Sequence, residues 1–164
     1  MPFKKFVLLF AAISVVVTAG LLLRGQIDAS EHGSIRKALE GSWSVRITPN
    51  SPTPPFDEFM TFDAGGGIVE SNNFPFFALG LAAGPGHGMY KFDEHHQFKF
   101  TFTKFLFTPQ GQPAGTLRVT GTILYSALTD TWTSPALVEI FDPAGNIILT
   151  DTTNGNATRI GIND

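Results

Sequence analysis

Trp43, Val45 and Ile47 alternate with Ser44, Arg46 and Thr48, and from Gly41 onward this period of two never yields to a helical one. Short alternating segments recur at hairpin spacing, expected over 43–48, 58–63, 68–71, 87–92, 97–107, 116–126, 131–141, 147–152 and 157–162. Turn formers stand between them, most clearly Gly65-Gly66-Gly67 and Asp142-Pro143-Ala144-Gly145. A parallel sheet needs a crossover of about a dozen residues between strands, and these gaps do not supply one. The pattern therefore predicts an all-β fold: a single antiparallel, up-and-down β-barrel of about 8–9 strands over residues 41–164.

Two segments complicate that reading. In the long fifth strand Phe98, Phe100 and Phe102 fall on even positions, whereas Phe105 and Phe107 fall on odd ones. A bulge near Thr103 and Lys104 would return all five rings to one face. In the seventh strand Trp132, Ala136, Val138 and Ile140 share a face, and Pro135 points the other way, which suits an edge or a bulge. Leu117, Val119, Ile123 and Tyr125 share a face in the sixth.

Ahead of the barrel, Lys4 and Lys5 precede an apolar run over 6–23, which predicts an N-terminal hydrophobic helix. A positive flank followed by an apolar stretch is the pattern of export. Val17-Thr18-Ala19 offers a small-residue cleavage site, so 1–23 reads as a signal peptide, with an uncleaved membrane anchor as the alternative. Either way the barrel is expected outside the cytoplasm, periplasmic or extracellular. Residues 24–40 read as a linker and a short helix, with Ser34 as N-cap and Gly41 just past its end.

Composition narrows the function. Net charge is −3, and two of the bases, Lys4 and Lys5, belong to the N-terminal segment. No basic cluster remains in the barrel to suit nucleic acid or an anionic lipid surface, so membrane contact is expected only through 6–23. The chain has no cysteine, which removes disulfides, thiolate metal sites and cysteine nucleophiles. No phosphate loop, dinucleotide fingerprint or Gly-x-Ser-x-Gly elbow is present, and no cofactor is expected. Asp93-Glu94-His95-His96 lies on one tight turn, where neighbouring side chains diverge, so no metal site is expected.

Gly41-Ser42-Trp43, after a short helix and opening the first strand, resembles the Gly-x-Trp motif of lipocalins and the wider calycin superfamily. The resemblance implies that Trp43 closes one end of the barrel and that Arg159, the base in the last strand, packs over it as a cation–π pair. Other lipocalin features are absent: the Thr-Asp-Pro-x-Tyr motif, a C-terminal helix and a disulfide. The chain is thus similar to a calycin-like barrel and not to a standard lipocalin.

The least ordinary stretch is 72–86, apolar yet without periodicity, and too hydrophobic to stand in solvent. It is expected to fold over the other barrel mouth, and is where function is expected rather than in the wall. His87, between glycines, and Glu70, if it points inward, are the candidate catalytic groups. Against them stand a backbone-bonded His and a solvent-facing Glu. The interior aromatics expected to line a ligand site are Phe76, Phe77, Phe98, Phe100, Phe102, Tyr125 and Trp132. The preferred function is binding of a small hydrophobic molecule. A barrel-type isomerase or cyclase and a non-catalytic envelope or interaction protein are the alternatives.

Overall fold

The structure, a computed structural model, describes residues 37–93 and 97–161. The chain divides into two units, Met1–Lys37 and Ala38–Asp164. The expected signal peptide or anchor over 1–23, the linker with its Ser34 cap and the turn residues Glu94, His95 and His96 lie outside the described residues.

Nine strands follow one another: β1 (Gly41–Pro49), β2 (Phe56–Phe62), β3 (Gly67–Asn72), β4 (Ala82–Ala83), β5 (Gly86–Phe92), β6 (Phe98–Phe107), β7 (Pro113–Ser126), β8 (Thr131–Phe141) and β9 (Ile147–Arg159). Every pairing is antiparallel, β9 pairs back onto β1, and β6 pairs with β7. Eight strands therefore form a closed antiparallel barrel. The two-residue β4 pairs only with the far end of β6, beyond the stretch that pairs with β5.

Alternation decides what goes inside. Trp43, Val45 and Ile47 of β1, Met60 and Phe62 of β2, and Phe98, Phe100 and Phe102 of β6 are all buried. In β6 the alternation runs unbroken through Lys104 and Leu106, and the register shifts only between Leu106 and Phe107. The bulge expected near Thr103 and Lys104 is absent, and Phe105 stands outside, 69% exposed. Lys104 is the reason. It takes an inward position because a carboxylate awaits it there, so no break is needed to turn it out.

Two further expectations are corrected. Segments 147–152 and 157–162 are not separate strands, for β9 runs unbroken through Thr153-Asn154-Gly155-Asn156. That tetrapeptide has turn composition, but β1 pairs with it on one side and β8 on the other, which holds it extended. A Cβ on Gly155 would stand 3.4 Å from side chains of Ile47, Val45 and Trp132, so the strand lies in contact with the core there. Pro135 occupies neither an edge nor a bulge. It pairs with Asn154 on β9, and the β7–β8 ladder skips the rungs opposite Thr122 and Ile123, where the proline has no N–H to give.

Segment 73–81 is less irregular than its composition suggests. Phe76–Leu79 forms a 3-10 turn closed by Gly80 in the left-handed conformation, with its N–H bonded to Phe77 O. Phe76 is buried, whereas Phe77 is 80% exposed.

Candidate functional site

The two ends of the barrel are built differently. At one end Trp43 is fully buried, with Trp132 at 6.0 Å and Tyr125 edge-on at 6.3 Å. Phe62 packs edge-on against Tyr90 at 5.1 Å, and Tyr90 leans on Phe98 at 6.1 Å. The Arg159 guanidinium lies over the Trp43 ring at 4.2 Å. It donates to Asp130 Oδ2 at 2.6 Å and to the carbonyls of Glu40 and Ala38 at 2.7 and 2.6 Å. Trp43 Nε1 donates to Leu39 O at 2.9 Å. Segment 38–40 is thereby tied across this end, and Asp130, bonded to Arg159, has its pKa lowered. Every polar atom of the Trp43–Arg159 pair is used, so this end closes the barrel and offers nothing to a ligand.

At the other end the interior is hollow. A cavity of about 320 Å³ opens between β1, β2, β6, β7, β8 and β9, with Asn72, Phe74, Phe76 and Leu79 of the neighbouring segment on its border. Its wall is mostly apolar: Phe100, Phe102, Val119, Val138 and Ile140 among others. Into it or behind it project three ionisable groups that strict alternation forces inward. Glu70 is 0% exposed, Lys104 2% and Glu58 7%.

Lys104 Nζ touches both oxygens of Glu70, donating to Oε1 at 3.0 Å and contacting Oε2 at 2.7 Å off hydrogen-bond alignment. Asn72 Nδ2 donates to Oε1 at 2.9 Å. Lys104 also stands over the Phe76 ring at 5.6 Å. Close approach to the carboxylate is possible because position 86 is glycine, where a Cβ would fall 2.6 Å from Glu70 Oε2. A buried carboxylate survives only when paired and hydrogen-bonded, and Glu70 is both.

Glu58 is the third member. Burial first, then the negative charge of Glu70, raise its pKa to about 8; Lys104 pulls the other way, and a hydrogen bond with Glu70 adds to the rise. Two inward carboxylates face one ammonium, so near neutral pH one proton remains in the cluster, held on Glu58. Glu58 and Lys104 border the cavity, while Glu70 lies behind them. On the cavity wall Trp132 is 2% exposed, and its indole N–H has no partner among the described residues.

The residues singled out in the sequence divide between the two ends. Phe76, Phe100, Phe102 and Trp132 border the cavity. Phe98 and Tyr125 belong to the closed aromatic end, and Phe77 faces outward. Glu70 points into the barrel, not to solvent. His87 is exposed on the outer wall, at the rung where β5 meets Thr103 of β6. Glu70 and His87 therefore do not share a cavity. The polar cluster sits in the wall, on β2, β3 and β6, and segment 72–86 supplies part of the rim. Neither Glu58 nor Lys104 stands out in the sequence as a site residue. Their parity with Met60 and Phe62, and with Phe102 and Leu106, was the available signal.

Fold and site together define an eight-stranded antiparallel barrel, plugged at one end and hollow, apolar and charge-bearing at the other. This is consistent with a calycin-like architecture. No protein-family model matches the chain, and no curated protein is similar enough in sequence to assign one.

Proposed function

We propose that the barrel is a lipocalin-like carrier or receptor for a small, mostly hydrophobic molecule, acting outside the cytoplasm as the N-terminal segment suggests. The observation that carries this reading is the cavity of about 320 Å³, walled by apolar side chains and reached through one end of the barrel. A barrel used only as a scaffold has no need of such a space, since eight strands can be filled by side chains alone.

The test is fluorescence titration of the full-length protein with N-phenyl-1-naphthylamine, a neutral apolar dye. Saturable binding is expected, and Ala136→Phe, which fills the cavity from β8, is expected to abolish it without lowering the melting temperature. Equal binding by that variant would place the dye elsewhere and refute the reading.

A second reading has one observation in its favour. A carboxyl that keeps its proton to about pH 8 beside an apolar cavity is the group a barrel-type isomerase or cyclase would use as a general acid. On that reading Glu58 acts without His87, and its mark is chemical conversion of a bound molecule, followed by mass spectrometry and lost in Glu58→Gln.

A further inference from the structure

The hollow end holds more carboxylates than cations. Glu58 and Glu70 point inward from adjacent strands β2 and β3, and Lys104 from β6 is the ammonium that meets them. Lys104 is committed to Glu70, whose Oε1 is also bonded by Asn72. Glu58 is the carboxyl left on the cavity side. Across the cavity the charged wall residue is another acid, Asp151 of β9, and Lys104 is the one base among the described residues that border it. Charges elsewhere on the surrounding strands face outward: Arg46 with Asp57, and Arg118 with Glu139, form exposed pairs, and His87 lies on the outer wall.

Deepening the carrier reading and resting on it, we propose that the cavity takes a small apolar amine, its ammonium against Glu58. The bound state then has two carboxylates and two cations. The proton held by the empty cluster leaves to bulk water as Glu58 ionises toward the ligand. Phe56, Phe74 and Phe76, packed edge to face at 5.1 and 4.7 Å, give the rim aromatic surfaces that tolerate a cation. A carboxylate ligand meets Glu58 and Asp151 instead and is disfavoured.

Three near-isosteric probes test this on the full-length protein: 2-(4-methoxyphenyl)ethylamine, 2-(4-methoxyphenyl)ethanol and 3-(4-methoxyphenyl)propanoate. By calorimetry near pH 8 the amine is expected to bind about 10-fold more tightly than the alcohol, with the propanoate weakest, as unlike charges in a poorly solvated site require. Near pH 7, titration in two buffers of different ionisation enthalpy is expected to show proton release with the amine and none with the alcohol. Glu58→Gln is expected to lower amine affinity about 10-fold and leave the alcohol unchanged. Alcohol or propanoate binding as tightly as the amine, or amine binding without proton release, overturns the proposal. Both of those readouts use the unmutated protein, so they decide even if a variant fails to fold. If the naphthylamine dye binds and the amine shows no preference, this inference falls and the carrier reading stands. If neither dye nor probes bind, both fall.

Discussion

The two ends of this barrel solve the same problem with opposite materials. Each must cover the interior of a closed sheet. The Trp43 end does it with interlocked rings and a guanidinium whose every nitrogen donates, to Asp130 and the carbonyls of Ala38 and Glu40. The Glu58 end leaves space, and sets into its wall a buried ion pair with an extra carboxyl. Burial of rings gains free energy roughly in proportion to area. Burial of charge gains little or costs, since desolvation offsets attraction. The first end is thus built for stability, while the second carries groups that contribute little to it and are placed where a ligand would meet them.

Mutations can break that contrast. The largest loss is expected for Trp43→Ala, in the upper part of about 3–5 kcal/mol, because a fully buried indole, its hydrogen bond and its cation–π partner go together. Urea unfolding measures it, and a loss under about 1 kcal/mol would mean that the ring plug is not what closes the barrel. Lys104→Met should cost about 3 kcal/mol by stranding Glu70. The sharper outcome is the double variant Glu70→Met with Lys104→Met, which should regain most of that loss. No partner substitution is expected to rescue Trp43→Ala in the same way.

The pH dependence should separate the ends as well. Glu58 has a folded pKa of about 8 against an ordinary 4.5. Between those values the unfolded chain holds fewer protons than the native one, so stability should fall as pH rises from about 5 to about 8. The slope is at most about 1.4 kcal/mol per pH unit, with levelling above that range. Glu58→Gln should flatten the curve, and a wild-type curve already flat from pH 5 to 8 would contradict the proton-holding cluster. Asp130 works in the opposite sense. Its folded pKa is lowered by the Arg159 hydrogen bond, so its contribution is present above the ordinary carboxylate range and is lost as pH falls through the folded value. Half-exposed and screened, it is worth about 0.5–1 kcal/mol, and Asp130→Asn should remove that much. Phe77→Ser should lie within about 0.5 kcal/mol of neutral and leave dye binding unchanged, because its ring faces solvent.

Much of the architecture was legible in the sequence because period-two alternation is a local property. The strand 131–141 and the inward set Trp43, Val45 and Ile47 follow from it directly, and the pairing of Trp43 with Arg159 was implied by the Gly41-Ser42-Trp43 motif. The same rule, followed strictly, also placed Lys104 and Glu58 inside. A bulge near Thr103 and Lys104 was expected instead, to bring Phe105 and Phe107 onto the face of Phe98, Phe100 and Phe102; the burial of Lys104 has no local reason. Its reason is Glu70, thirty-four residues away in the chain and opposite it only once β3, β5 and β6 are paired.

The sequence by itself determined the strands, their antiparallel order and the aromatic plug, all of which rest on neighbours or on one motif. Tertiary structure alone decided that β9 is one strand, that β6 keeps its register to Leu106, and that a cavity of about 320 Å³ is left inside. It also decided that Glu58, Glu70 and Lys104, distant in sequence, meet in one buried cluster beside that space. Such features depend on which residues face each other across a closed sheet, and closure is a property of all eight strands together.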